Sequence, residues 1–128
     1  MNLLLDTHEF IWWAEQPQKL SRTIYDALHD KSNTLFLSIA SIWEMQIKVQ
    51  IGKMSFQNGL RRLVITQRRR NGLRILPVKP RHVYALQQLP FYHKDPFDRL
   101  IIAQAAVENF LLVSADPFVS AYAVNVLN

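Results

Sequence analysis

Asn2-Leu3-Leu4-Leu5-Asp6 is an unbroken apolar run that stops on an acid. Apolar residues at successive rather than alternate positions fit a strand buried on both faces, which is the environment of a parallel sheet covered by helices on each side. Thr7 can cap a helix that runs through Phe10, Ile11, Trp12 and Trp13 to about Glu15, and Gln16-Pro17 interrupts it before Ser21 starts a second helix carrying Ile24, Ala27 and Leu28. Leu35-Phe36-Leu37 repeats the short apolar strand. Ser41, Ile42, Glu44, Ile47 and Ile51 then fit an amphipathic helix ending near Gly52.

Strands and helices continue to alternate. From Phe56 to about Arg70, Leu60, Leu63 and Val64 alternate with arginines at helical period, and Asn71-Gly72 terminates the run. Leu73 to Val78 reads as a third strand, Arg81 to Leu89 as a short helix and Pro90 to Lys94 as a loop. Asp95-Pro96-Phe97-Asp98 opens the strongest helix, whose all-round apolarity from Leu100 to Val107 implies a central position. Leu111 to Val113 is a fourth strand, Pro117 to Tyr122 a short helix and Val124 to Leu127 a fifth strand. The expectation is one α/β domain over residues 1–128, three layers deep, with a mostly parallel central sheet of four to five strands.

Composition narrows the chemistry. The chain has 128 residues, no Cys and three Gly, at 52, 59 and 72. Thiolate catalysis, disulfides and Cys-ligated zinc are excluded, and no Gly-rich phosphate loop exists. No apolar run reaches the roughly 20 residues of a membrane span, and the N-terminus lacks the basic and small-residue features of a signal peptide, so a cytoplasmic protein is expected. The formal net charge is +5, but its distribution matters more: from Met45 to Lys94 there is no acid and there are eleven Lys and Arg. That pattern suggests a polyanion along a basic middle and a carboxylate site assembled from the two ends.

In parallel sheets ligands gather at the carboxyl ends of the strands. Asp6 follows the first strand and Asp116 the fourth, while Glu44 and Asp98 lie in the early turns of helices that start at the same edge. Four converging carboxylates repel one another unless a cation joins them, and an all-oxygen set favours Mg2+ or Mn2+. Beside a basic surface, such a cluster suits phosphodiester hydrolysis. Each acid also has a structural use. Asp95 is an N-cap, Asp98 can close a capping box, Glu44 can pair with Lys48 four residues on, and Asp116-Pro117 can start a turn. His8 and His93 are set aside as ordinary histidines, and the three Trp are assigned to core or interface.

Leu3 to His8, Ser38 to Glu44, Gly52-Lys53, His93 to Ala105 and Ser114-Ala115-Asp116, in this order and spacing, resemble a PIN-domain protein of the VapC toxin type over the full length. The resemblance implies a metal-dependent endoribonuclease with Mg2+ or Mn2+ held by Asp6, Glu44, Asp98 and Asp116, supported by Asp95 and Thr7. It also implies an RNA substrate, a homodimer and a small cognate antitoxin that presses a basic side chain into the site. Arg68, Arg69 and Arg70, with Lys48 and Arg99, are the candidates for contacting the RNA backbone. The other readings are a non-catalytic PIN-like module that binds RNA or protein, and a PIN ribonuclease of RNA processing without an antitoxin. Glu9 stands where the family often has a small apolar residue, and it is expected to face solvent.

Overall fold

The computed structural model describes all 128 residues. Five strands, β1 (Asn2–Leu5), β2 (Thr34–Ser38), β3 (Arg74–Leu76), β4 (Leu111–Val113) and β5 (Val126–Leu127), form one sheet in the order β3-β2-β1-β4-β5. Every pairing is parallel. The helices are α1 (Thr7–Glu15), α2 (Arg22–His29), α3 (Ile39–Gln50), α4 (Leu60–Asn71), α5 (Pro80–Ala85) and α6 (Pro96–Glu108). The three-layer α/β arrangement expected from the apolar runs is the one found.

The pleat of β1 explains why both faces need cover. Leu3 and Leu5 enter a core with Phe10 and Trp13 of α1, Ile24 and Leu28 of α2, and Leu60 and Val64 of α4. Leu4 enters the opposite core with Ile101, Ile102 and Ala105 of α6. None of the three leucines is more than 1% exposed, so each contributes about 1.5–3 kcal/mol of apolar burial and β1 has no solvated face. Helix α3 supplies Met45 to the first core and Ala40 to the second, and so ties both helical layers to the edge where the strands end. Fully buried Gln104 of α6 reinforces that edge: it accepts from the Ser38 hydroxyl and donates to the Pro77 carbonyl at 3.2 Å.

The sheet order creates a crevice. From β1 the chain proceeds outward to β2 and β3, then returns to place β4 and β5 on the other side of β1. Connections therefore leave β1 and β4 in opposite directions, which opens a cleft at their carboxyl ends.

Several boundaries differ from the sequence expectation: β3 and β5 are shorter than the apolar runs that mark them, and the helix expected over Arg81 to Leu89 is α5 followed by a 3-10 turn at Leu86–Gln88. Helix α4 starts at Leu60, four residues later than Phe56, because Gly59 takes φ +82°, a left-handed conformation outside the helix. The segment from Pro117 to Tyr122 forms only a 3-10 turn at Val119–Ala121. No helix is long and apolar enough to cross a membrane.

Candidate active site

Asp6 is the first residue past β1. Its backbone N–H donates to Val113 O at 3.0 Å and extends the β1–β4 ladder into the crevice. Asp6 Oδ1 accepts from the Thr7 N–H at 2.7 Å and Oδ2 from the Ser114 hydroxyl at 2.8 Å. The N-cap of α1 is thus Asp6 rather than Thr7, and the acid that terminates the strand also starts the helix. At 7% exposure its carboxyl is pushed above the usual range by burial, against the opposing pull of the Ser114 hydroxyl.

Thr7 is left free to act on another acid. Its hydroxyl donates to Glu44 Oε1 at 2.9 Å and lies 2.9 Å from the Ser41 hydroxyl. Lys48 Nζ donates to Glu44 Oε2 at 3.0 Å, the helical pair expected from the four-residue spacing. Buried Glu44 is therefore held at both oxygens, by α1 and by its own helix.

Helix α6 presents the third acid. Asp95 caps it, accepting from the N–H groups of Phe97 at 2.9 Å and Asp98 at 3.1 Å. Asp98 does not close a capping box; Oδ2 meets His93 Nε2 at 3.1 Å, and the same nitrogen lies 3.3 Å from Asp116 Oδ2. The other Asp116 oxygen accepts from the Phe118 N–H at 2.9 Å, the turn expected at Asp-Pro. Asp98 carries the largest perturbation in the cleft, with its pKa pushed up to about 7 by burial first and then by the charges of Asp6, Asp95 and Glu44, against the pull of His93. Asp6 and Glu44 therefore act on Asp98 electrostatically, and His93 joins Asp98 to Asp116. All four predicted acids face one crevice.

Other predicted residues lie elsewhere or play other parts. Arg99 is a correction: it is 6% exposed, donates to the carbonyls of Pro90 at 2.7 Å and Leu89 at 3.1 Å, and sits 4.0 Å above the Phe91 ring. Its guanidinium braces the loop before α6 instead of standing exposed. Arg68, Arg69 and Arg70 are exposed at the end of α4, just before β3 begins. Because all strands are parallel, that position is the amino edge of the sheet, opposite the acids. Glu9 is a second correction. It is 2% exposed rather than solvated, and its Oε1 accepts from the Ala115 N–H at 3.1 Å, fastening α1 to the loop that carries Asp116. Trp13 is core as expected, but Trp43, beside Glu44, is 60% exposed with its ring edge-on to Phe97 at 5.2 Å.

His93, set aside on sequence grounds as an ordinary histidine, lies in a loop with no periodicity to mark it. Its partners come from two places, Asp95 and Asp98 just after it in the chain and residues 116–122 folded back against the loop. Its one sequence signal is position, two residues before the Asp95 cap and five before Asp98.

The donor set fits a hard divalent cation. Carboxylate oxygens predominate, no thiolate is present, and the elevated Asp98 pKa shows that an unneutralised cluster resists full ionisation. His93, Asp98 and Asp116 bring ligand-type atoms within 4.8 Å of one another.

Comparison with known proteins gives a consistent result. The family model of the PIN domain matches residues 3–124. Ribonuclease VapC22 of Mycobacterium tuberculosis is 28% identical over 115 residues, which span 89% of this chain and 86% of the relative. VapBC2 from Rickettsia felis, solved bound to a DNA fragment from its promoter, aligns with TM-score 0.78 at 19% identity over 100% of this chain and 98% of that chain. FitAcB from Neisseria gonorrhoeae aligns with TM-score 0.66 at 18% identity, covering 98% and 96%. VapBC-5 from Mycobacterium tuberculosis, of a toxin–antitoxin family, gives 0.61 at 16%, covering 98% and 95%. At these identities the structural likeness establishes the fold.

Proposed function

The chain belongs to the PIN-domain family, and from that premise we propose that it is a divalent-cation-dependent endoribonuclease, the VapC-type toxin of a toxin–antitoxin pair. The observation that carries this reading is the buried carboxylate group at the β1–β4 crevice, where burial first, and then the charges of Asp6, Asp95 and Glu44, push the Asp98 pKa up to about 7. A fold that gathers these charges in a cleft, and fixes Asp6 and Glu44 at both oxygens, is prepared for a cation.

Asp6, Glu44, Asp98 and Asp116 would hold Mg2+ or Mn2+. The cation supplies Lewis-acid chemistry, lowering the pKa of water for attack on phosphorus and stabilising the oxygen that departs. Thr7 and Lys48 keep the Glu44 carboxylate turned into the cleft, and Ser114 does the same for Asp6. Exposed Trp43 and Phe118 stand beside Glu44 and Asp116 in sequence and offer apolar faces on which unpaired bases can stack. The named relatives support the remaining assignments: one is a ribonuclease and two are VapBC proteins, of which VapBC-5 is described as a member of a family of toxin–antitoxin systems. A homodimer and a small DNA-binding antitoxin are the corresponding partners.

The test is cleavage of RNA by purified protein with Mn2+, compared with Asp6→Asn and Asp98→Asn. Both variants should fold and lose at least about a hundredfold in rate. Full activity in both would overturn the assignment, and a folded wild-type protein that binds RNA without cutting it under Mn2+ would favour the binding-module reading.

A further inference from the structure

His93 is held more firmly than a loop histidine needs to be. Its backbone N–H donates to the Tyr122 hydroxyl at 2.7 Å, and its ring stands edge-on to Phe118 at 5.9 Å. Its Nδ1 accepts from the Asp95 backbone N–H at 3.1 Å. An amide N–H can only donate, so Nδ1 must carry a lone pair, and in the neutral ring the proton then resides on Nε2. That proton points at Asp98 Oδ2 and Asp116 Oδ2, 3.1 and 3.3 Å away.

A histidine that ligates a metal has the reverse arrangement, with a lone pair toward the ion and the other nitrogen donating to a carbonyl or carboxylate. We propose that His93 is not a ligand of the cation but a positioning residue, an N–H clamp that joins Asp98 on α6 to Asp116 after β4 and fixes both carboxylates before the cation arrives. Asp116 needs such a clamp because it sits in a loop, whereas Asp6 and Glu44 are fixed by a strand end and a helix. Bonding through Oδ2 leaves Asp98 Oδ1 for the ion. The backbone bond to Tyr122 makes the clamp span two segments, 90–95 and 116–122, which have no strand pairing with each other.

The inference rests on the cation-site reading, so its test has one arm that needs no metal. Nitrogen NMR of the metal-free protein should show His93 protonated at Nε2 and bare at Nδ1. Amide exchange over residues 116–122 should accelerate in His93→Ala and recover in part in His93→Gln, whose amide N–H can still donate. In the metal arm, Mn2+ affinity measured by calorimetry should fall about 10–100-fold in His93→Ala, with partial rescue in His93→Gln. The electron spin echo of wild-type protein with Mn2+ should lack the nitrogen coupling of a directly bound imidazole. Such a coupling, lost in His93→Ala, would overturn the proposal by making His93 a ligand, as would an Nδ1-protonated ring or unchanged Mn2+ affinity. Absence of Mn2+ binding by wild-type protein would instead overturn the cation site, while the tautomer and exchange results would still decide the clamp.

Discussion

Asp98 shows how one side chain sets the stability of the apo protein against pH. Its carboxyl titrates near 3.8 in an unfolded chain and near about 7 in the fold. Between those values the unfolded state has released a proton that the folded state retains, so this group makes stability fall as pH rises from about 4 to about 7, with the full cost present above that. Buried Asp6 and Glu9 are shifted in the same direction, each by desolvation first. Asp98→Asn removes the largest of these costs. In chelator, its melting temperature at about pH 8 should exceed wild type by several degrees, corresponding to on the order of 2 kcal/mol, and the gap should close toward about pH 4. Saturating Mn2+ should reverse the order, because the ion stabilises only the chain that binds it. Equal melting curves across this pH range would show that Asp98 ionises normally and that the crevice is better solvated than its geometry implies.

At the level of elements, α6 depends on a support that its own sequence does not reveal. Arg99 lies one residue after Asp98 and reads as an available cation, yet its guanidinium is spent on the loop carbonyls of Leu86, Leu89, Pro90 and His93. Arg99→Ala would leave those acceptors unsatisfied and uncover the Phe91 face, so a loss of about 2–4 kcal/mol in unfolding free energy is expected. Arg99→Lys should recover little of it, since an ammonium cannot reach several carbonyls in one plane; chemical denaturation of both variants checks this, and a stable Arg99→Lys would reduce the fork to a single charge. Strands and helices whose residues repeat at the right period were legible in the sequence: β1 from three consecutive leucines, α6 from Asp95-Pro96 and the apolar run behind it. Asp6 and Asp116 were legible for the same reason, since the first directly follows such a strand and the second comes three residues after one. Glu9, His93 and Arg99 were not: Glu9 and Arg99 bond to backbone groups of loops, and His93 bridges Asp98 to the loop acid Asp116, and neither loop announces where it will fold back. Glu9 did leave a trace, four residues before buried Trp13 and hence on the same inward helical face.

Across the whole molecule the charge pattern divides differently from the linear sequence. The acid-free block separates the segments that build the crevice, but its densest part, Arg68 to Arg70, ends up at the amino edge of the sheet, one strand length, about 10–17 Å for these short strands, from the carboxyl edge. A tetranucleotide lying along the carboxyl edge at the acids stays away from those arginines, whereas an RNA long enough to fold around the domain reaches them. The triple variant Arg68→Ala, Arg69→Ala, Arg70→Ala should therefore bind and cleave a tetranucleotide as wild type does, with the same dependence on salt. For a hairpin of about 30 nucleotides the slope of log affinity against log salt should become shallower by up to ~2, at about 0.7 per lost phosphate contact. Identical slopes on the long RNA would assign the arginines to a solvated helix end, where positive charge already suits the helix dipole. A weaker tetranucleotide complex would instead require the substrate path to cross the edge of the sheet opposite the carboxylates, and the crevice would then mark only one end of that path.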